Sequence, residues 1–327
     1  MTRTFTHRAA VRDKMPILVG LVGPSGSGKT FSALRLATGF QRVNPGEIFV
    51  IDTEAGRSKQ YADKFRFVHV PFGAPFGPLD YLDAINYCVQ NGATNIVIDS
   101  MSHEHEGPGG VLEIHAEEHK RLGGSKGTNM LAWNKPKSER RRLINSILQL
   151  NCNFVFCFRA KEKLKLERGK EPIPMGFMPI SGDEWIYEMT LKCLMLPGAN
   201  GIPTWHSEQI GERAVIKLPE QFTQTFASVP QLSEDVGEQL AKWAAGSAPA
   251  TSMTAAQLIA EFAACSEPSE FRRLEEVRRV SWSAIGKDDK PSVKAASDQA
   301  TRRIDDAAKA PVPMPVEDME GTAAAVG

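Results

Sequence analysis

ILVGLVGPSGSGKT, residues 17–30, runs an apolar, β-branched segment straight into a glycine-rich turn that closes on Lys-Thr. Glycines at 23, 26 and 28 let the backbone curl so that successive N–H groups point inward, and the helix that follows adds its positive end. Such a turn is a cradle for phosphate. Gly23, Pro24, Ser25, Gly26, Ser27 and Gly28 form its wall; Lys29 reaches β- and γ-phosphate oxygens, and the Thr30 hydroxyl is placed to ligate Mg²⁺. The flanks agree with this. A strand pattern precedes the turn, and Phe31, Leu34, Leu36 and Ala37 give the apolar side of a helix expected to stop near Gly39.

Working outward, short β-branched runs alternate with helical stretches, the pattern of strands joined by crossover helices in a mainly parallel sheet. Strands are expected at 17–22, 48–52, 66–70, 95–99 and 153–158, with helices after Lys29, at about 78–91 and at about 137–150. Beyond Asp183, residues 185–196 and 213–218 read as further strands separated by a Pro-Gly turn, an antiparallel extension of the sheet.

A phosphate cradle needs a carboxylate on the magnesium side, and NIVIDS, residues 95–100, ends a buried strand on Asp99. Residue 100 is Ser rather than Glu, so a water-activating base must come from elsewhere. IFVIDTE, residues 48–54, ends in two carboxylates, and Glu54 at the mouth of a neighbouring parallel strand faces the crevice at the carboxyl ends. Glu54 is the expected base, with Glu104 or Glu106 as the fallback. NFVFCF, residues 153–158, leads into Arg159, a cation placed to sense the γ-phosphate and stabilise charge in transfer.

These residues, in this order, resemble the RecA-like P-loop ATPases, most closely the single-domain AAA-type ATPases of bacteriophages associated with recombination and single-strand annealing. The carriers are residues 23–30, 51–54, 98–104 and the strand ending at Arg159, and the resemblance spans about residues 15–230. It implies an α/β, RecA-like P-loop NTPase fold with a mainly parallel twisted sheet, ATP and Mg²⁺ as cofactors, and Glu54 as the catalytic glutamate. Arg159 stands where RecA has a γ-phosphate-sensing glutamine. The family also implies a homo-oligomer, ring or filament, with a cation donated across the interface from the late strands. Arg213 and Lys217 lie in that region, without a clean Lys-x-Arg pattern.

Past Arg159, lysines recur at alternate positions: Lys161, Lys163 and Lys165, followed by Arg168 and Lys170. In an extended hairpin alternate residues share one face, which suits a phosphate track for single-stranded DNA that reads no sequence. The stretch from Gly107 to Lys137, read as a loop, adds Lys120, Arg121, Lys126, Lys135 and Trp133, on which a base can stack. Arg140, Arg141 and Arg142 serve that track, a subunit interface or solubility. His115 and His119 fall at i, i+4, but Ala116 stands where the zinc-protease pattern needs Glu. A helix with its charges outward is the expectation there.

The whole chain holds 327 residues with 39 basic against 39 acidic side chains, so nucleic-acid affinity must come from local patches and not from a net field. Five scattered cysteines lack paired-ligand spacing and fit a reducing cytoplasm. No apolar run approaches membrane-spanning length, which disfavours secretion and a membrane partner. Residues 1–14 read as a basic arm, 15–245 as the ATPase core, 246–253 as a small-residue linker, 254–309 as a small C-terminal helical module, and 310–327 as a disordered tail.

Two functions of different class follow. One is a Mg-ATP-hydrolysing recombination protein that binds single-stranded DNA and promotes annealing or pairing. The other is a nucleotide-dependent switch or assembly adaptor, its helical module recruiting a partner such as a single-strand-binding protein. A small-molecule kinase fits the cradle, but no acceptor pocket or arginine-rich lid is identifiable.

Overall fold

The computed structural model describes residues 15–166, 171–228, 231–246, 253–282 and 285–309. These fall into two compact units, one within Asp13–Gly246 and one within Ser247–Gly327. The basic arm 1–14, the heart of the linker (247–252) and the tail 310–327 lie outside the described residues.

The first unit is an α/β sandwich on a seven-stranded sheet. Its strands are β1 (Leu18–Gly23), β2 (Glu47–Asp52), β3 (Val68–Pro71), β4 (Ala93–Asp99), β5 (Asn153–Lys165), β6 (Ile173–Pro179) and β7 (Leu191–Leu194). In space the order is β3-β2-β4-β5-β1-β7, every neighbouring pair parallel, while β6 pairs with β5 antiparallel. Parallel strands covered on both faces read as continuous apolar runs, and β1, β2, β4 and the first half of β5 do. Val19, Leu21, Val50, Val97, Val155 and Cys193 face one layer with Leu34, Phe40, Val236 and Leu240. Val22, Ile51, Ile96, Ile98, Phe154 and Phe156 face the other with Leu82, Ile85, Leu143 and Ile147.

The first layer is α1 (Lys29–Val43) and, much later in the chain, α10 (Glu234–Ala244); the second is α2 (Pro78–Gln90) with α6 (Asn134–Ile147). Between them in sequence come a 3₁₀ turn (Arg57–Tyr61), α3 (His103–Glu106), α4 (Val111–Arg121), α5 (Asn129–Ala132), α7 (Glu184–Glu188), α8 (Ile210–Val215) and α9 (Glu220–Ser228).

Several expectations change here. α1 does not stop near Gly39 but runs on to Val43. Gly39 is instead a packing residue: a Cβ there would run into the backbone of α10 at Glu234 and Glu238, so the glycine sets how closely the two helices approach. Residues 185–196 are not one strand. Trp185 and Met189, both buried, lie four apart on one side of a helical turn, with Tyr187 exposed opposite, so α7 forms first and only Leu191–Leu194 extend. That strand is parallel to β1, and the antiparallel pairing arises earlier, where β5 overruns the sheet and β6 folds back on it. Residues 213–218 are not a strand: 213–215 end α8, which buries Gly211, Glu212 and Val215, and beyond it only Lys217 makes an isolated antiparallel bridge, to Lys192. The stretch 107–137 is not a loop but holds α4, α5 and the start of α6.

The second unit has α11 (Ala255–Ala264), α12 (Pro268–Ser281) and α13 (Lys290–Lys309). Thr254 and Gln257 close a capping box at the start of α11. Leu258, Phe262, Leu274, Val277, Val293 and Ala300 form its core.

Candidate nucleotide site

The carboxyl ends of the parallel strands converge on a cavity of about 270 Å³ lined by Ser25, Gly26, Gly28, Lys29, Thr30, Glu54, Arg57, Gln60, Tyr61, Asp99 and Arg159. Residues expected from four separate segments therefore share one space. β1 delivers the turn, in which Gly26 and Gly28 take φ of 79° and 89°, a conformation that glycine adopts without strain. A Cβ on Gly26 would meet nothing within 4 Å, so this side of the turn stands open to a ligand. Ser27 Oγ is buried with no hydrogen-bond partner among the described residues.

Lys29 lies 8% exposed and folds back, its Nζ donating to the carbonyls of Gly23 at 2.9 Å and Pro24 at 2.8 Å. Burial lowers its pKa from the ordinary lysine value, while Asp99 and Glu54 pull the other way. Thr30 Oγ1 donates to Asp99 Oδ2 at 2.5 Å, joining the first turn of α1 to the end of β4. Burial pushes the Asp99 carboxyl above its usual range. A hydroxyl and a carboxylate in contact are hard oxygen donors of the kind Mg²⁺ takes, and an open glycine turn with a buried lysine suits a polyphosphate, so the residues present fit both groups.

Glu54 and Arg159 form a two-pronged pair across this space. Arg159 Nε donates to Oε1 at 2.7 Å and Nη2 to Oε2 at 2.5 Å, with Arg57 3.7 Å from Oε2. Glu54 is held on its loop by Asp52, a residue that motif reading alone passes over. The Asp52 carboxylate accepts from the backbone N–H groups of Glu54 (2.8 Å), Gly56 (3.3 Å) and Ser58 (3.0 Å), and from Ser58 Oγ at 2.5 Å. Burial works to raise its pKa, but these bonds outweigh it and hold the carboxyl below its usual value. A local signal for this exists: an acid two residues before Glu54, followed by Gly56 and Ser58, is a side-chain-to-backbone turn. Thr53 ties the two strand ends together, accepting from Ser100 N at 2.7 Å. His103 Nδ1 lies 2.7 Å from the same hydroxyl.

Other expected residues lie elsewhere. Glu104, the fallback base, is fully buried and gripped by Arg140 through two 2.8 Å bonds, so it anchors α3 to α6 and does not line the cavity. Arg140 is accordingly a core residue, unlike Arg141 and Arg142, which are exposed. Glu106 sits 4.0 Å from Lys161. Lys161, Lys163 and Lys165 are exposed on β5 beyond the sheet, while Arg168 and Lys170 lie outside the described residues. Trp133 is half-buried with His115 stacked on it, ring centroids 4.1 Å apart, so one face is already occupied. His115 and His119 each place Nε2 on a backbone carbonyl, of Asn129 and Ser125. Arg213 is exposed on α8, outside this cavity. The five cysteines are buried, and none of them is in a disulfide.

A family model described as an AAA domain matches residues 15–189, just over half of the chain. The chain belongs to this AAA-domain family. The matched segment of the AAA domain holds the cradle, Glu54, Asp99, Arg159 and the lysines of β5, and it ends before Arg213 and the helical unit. An AAA domain is of the nucleotide-hydrolysing type, and such domains usually work with Mg²⁺. Comparison with curated proteins returns no match. Among the described residues no helix is long and apolar enough to cross a membrane.

Proposed function

We propose that the chain hydrolyses ATP with Mg²⁺, and that it uses this in phage-type DNA recombination, binding single strands and promoting their annealing or pairing. What carries the first part is the meeting of Thr30 with Asp99 and of Glu54 with Arg159 in the lining of one cavity. Thr30 and Asp99 would hold Mg²⁺, whose chemistry is to neutralise charge on the β- and γ-phosphate oxygens. Glu54 orients and deprotonates the attacking water once Arg159 leaves it for the γ-phosphate; Lys29 exchanges its carbonyl partners for phosphate oxygens. Both Glu54 oxygens are engaged by Arg159, so exchange of the arginine between carboxylate and phosphate couples substrate arrival to activation.

The DNA part is supported by β5. Arg159, Lys161 and Lys163 alternate along one strand and so share one face of it, leading from the cavity outward, and Lys165 follows past an irregularity in the pairing with β6. A backbone track of this kind reads charge and not sequence. Single-stranded oligonucleotide binding, measured against salt by fluorescence anisotropy, tests it. Lys161→Ala with Lys163→Ala lowers the slope of log affinity on log salt by about 1.4, at about 0.7 per phosphate contact. Salt-independent binding, or none with ATP turnover intact, refutes the DNA role and leaves the switch or adaptor reading, in which a partner docks on the helical unit. Oligomerisation with a trans-acting cation, Arg213 being the candidate, belongs to the same proposal; its test is whether Arg213→Ala subunits regain turnover when mixed with Glu54→Gln subunits.

A further inference from the structure

Thr53 stands between the two carboxylates of the cavity. Glu54 follows it directly, and its own backbone N–H donates to Asp99 O at 2.8 Å, so the ends of β2 and β4 meet here. Its buried hydroxyl has three polar neighbours: Ser100 N at 2.7 Å, Ser100 O at 3.1 Å and His103 Nδ1 at 2.7 Å. A threonine hydroxyl carries one hydrogen and two lone pairs, so these neighbours fill it. With Nδ1 bare, the hydroxyl gives its hydrogen to the ring; with Nδ1 protonated, it accepts there and turns the hydrogen to Ser100 O. In both arrangements the histidine decides how the hydroxyl is turned.

His103 is braced from behind. Its ring stacks on Phe76, with centroids 5.0 Å apart and planes 24° from parallel. Phe76 meets Phe72 edge-on at 5.5 Å, Phe72 meets Tyr81 at 4.9 Å, and the buried Tyr81 donates its hydroxyl to Ser100 O at 2.8 Å. The contacts therefore close on themselves, from Thr53 through His103, Phe76, Phe72 and Tyr81 to Ser100 and back to Thr53. Close-packed rings transmit a displacement and do not absorb it, so one member cannot slide alone. Glu104, gripped by Arg140, fixes α3 from its other side. Burial and the nearby Arg159 cation hold the His103 pKa below its ordinary 6.5, against Glu54 and Glu106, so at neutral pH the ring is uncharged and adds no cation to the Glu54–Arg159 pair.

We propose that His103 is a positioning residue for hydrolysis: through the Thr53 hydroxyl it sets the spacing between Glu54, just past β2, and Asp99, at the end of β4. The inference rests on the reading of Glu54 as the base and Asp99 as the carboxylate on the magnesium side. Glu54 and Asp99 line the cavity and His103 does not, so the histidine acts on the chemistry through the backbone of the two strand ends. A base moved by about 1 Å from its aligned place loses up to about 10²-fold in rate. Binding of the substrate, which the cradle supplies, is left as it was.

Steady-state Mg-ATP turnover of the full chain, with kcat and KM read separately, tests this. His103→Phe keeps a ring on Phe76 and loses the nitrogen; kcat is expected to fall about tenfold or more with KM within about twofold. His103→Asn, whose amide stands where Nδ1 stood, should recover kcat to within about threefold of the unaltered chain, and His103→Gln, whose amide lies further out, should not. Once Thr53→Val has removed the hydroxyl, adding His103→Phe should cost no more than about twofold further, because the link is already cut. The assignment is overturned if His103→Asn is as slow as His103→Phe, if KM rises as kcat falls, or if the two losses multiply. Should His103→Phe fail to fold, His103→Asn against His103→Gln decides the matter. The contact also has a readout free of turnover: in nitrogen NMR with isotope-labelled histidine, the His103 Nδ1 signal, identified by its absence in His103→Asn, should move in Thr53→Val. Turnover with an unmoved signal refutes the positioning link alone. No Mg-ATP turnover by the unaltered chain refutes the hydrolysis reading and this role with it, whatever the signal does.

Discussion

Replacing Glu54 with Gln separates what this side chain does for chemistry from what it does for the fold. The amide keeps an oxygen for Arg159 Nε, now 2.7 Å from Oε1, but sets an NH₂ against Nη2, now 2.5 Å from Oε2. Donor then faces donor, and the two-pronged pair is lost. Its worth to stability is small, because Arg159 is 38% exposed and solvent screens the attraction; about 1 kcal/mol is the upper end for such a pair. For a domain of this size that lowers Tm by about 2–4 °C. Loss of a general base costs about 10²–10⁴-fold in rate, or about 2.7–5.5 kcal/mol of barrier. Glu54→Gln is therefore expected to melt within a few degrees of the unaltered chain, bind Mg-ATP at least as well because Arg159 is released, and turn over at least about a hundredfold more slowly in a single-turnover phosphate-release assay. A rate within about tenfold of the original would move the base elsewhere. A fall in Tm beyond about 5 °C would make Glu54 chiefly structural.

Two further outcomes concern buried charge. Asp52 has a folded pKa below its unfolded value of 3.8, so its stabilisation is complete above that value and is lost as pH falls through the folded pKa. Asp52→Asn should cost about 1–3 kcal/mol at pH 7, through loosened N–H groups at Glu54, Gly56 and Ser58, with a deficit in urea melts that shrinks below about pH 4; a deficit independent of pH refutes the anchoring role. Lys192 is 2% exposed on β7, and burial lowers its pKa from 10.5 to about 7. For a depressed group stability is full above the unfolded pKa and lost as pH falls through the folded one, so the chain should gain stability between about pH 7 and 10.5. Lys192→Met should remove that slope and stabilise the fold at pH 7 by about 1–4 kcal/mol, as exchange of buried charge for apolar volume often does. An unchanged slope would place the ammonium in water.

How far the sequence carries the structure depends on whether the signal is local. The cradle, the apolar strands ending on Asp99, Glu54 and Arg159, and the helix at Pro78–Gln90 are written in short windows, because a parallel strand must be apolar on both faces and a phosphate turn must be glycine-rich. Gly39 misleads because a glycine marks a stop only when nothing needs its missing side chain, and α10, which does, lies nearly two hundred residues further on. Glu104 and Arg140 look like solvent-facing charges until the fold places them against each other. For residues 185–196 the period of two and the period of four are both present, and the burial of Trp185 against Phe156 and Phe158 chooses between them.

β5 is where the two proposed activities meet. Its first half is buried between β4 and β1, in register from Asn153 to Arg159, and cannot shift without breaking both ladders. Among the described residues its second half pairs with β6 alone. Arg159 sits at the change from the one regime to the other, with its backbone N–H on Ser102 Oγ at 2.9 Å and its guanidinium on Glu54. A phosphate that draws the guanidinium away therefore acts on the strand just where it gains freedom, and the exposed lysines lie downstream of that point. β6 is in turn tied to α8, since Glu212 accepts from Phe177 N at 2.7 Å and from Ser207 Oγ at 2.5 Å. A route from nucleotide state to the exposed lysines therefore runs along β5 through Arg159; if it is the one used, DNA stimulation of turnover should vanish in Arg159→Ala even where nucleotide and DNA each still bind.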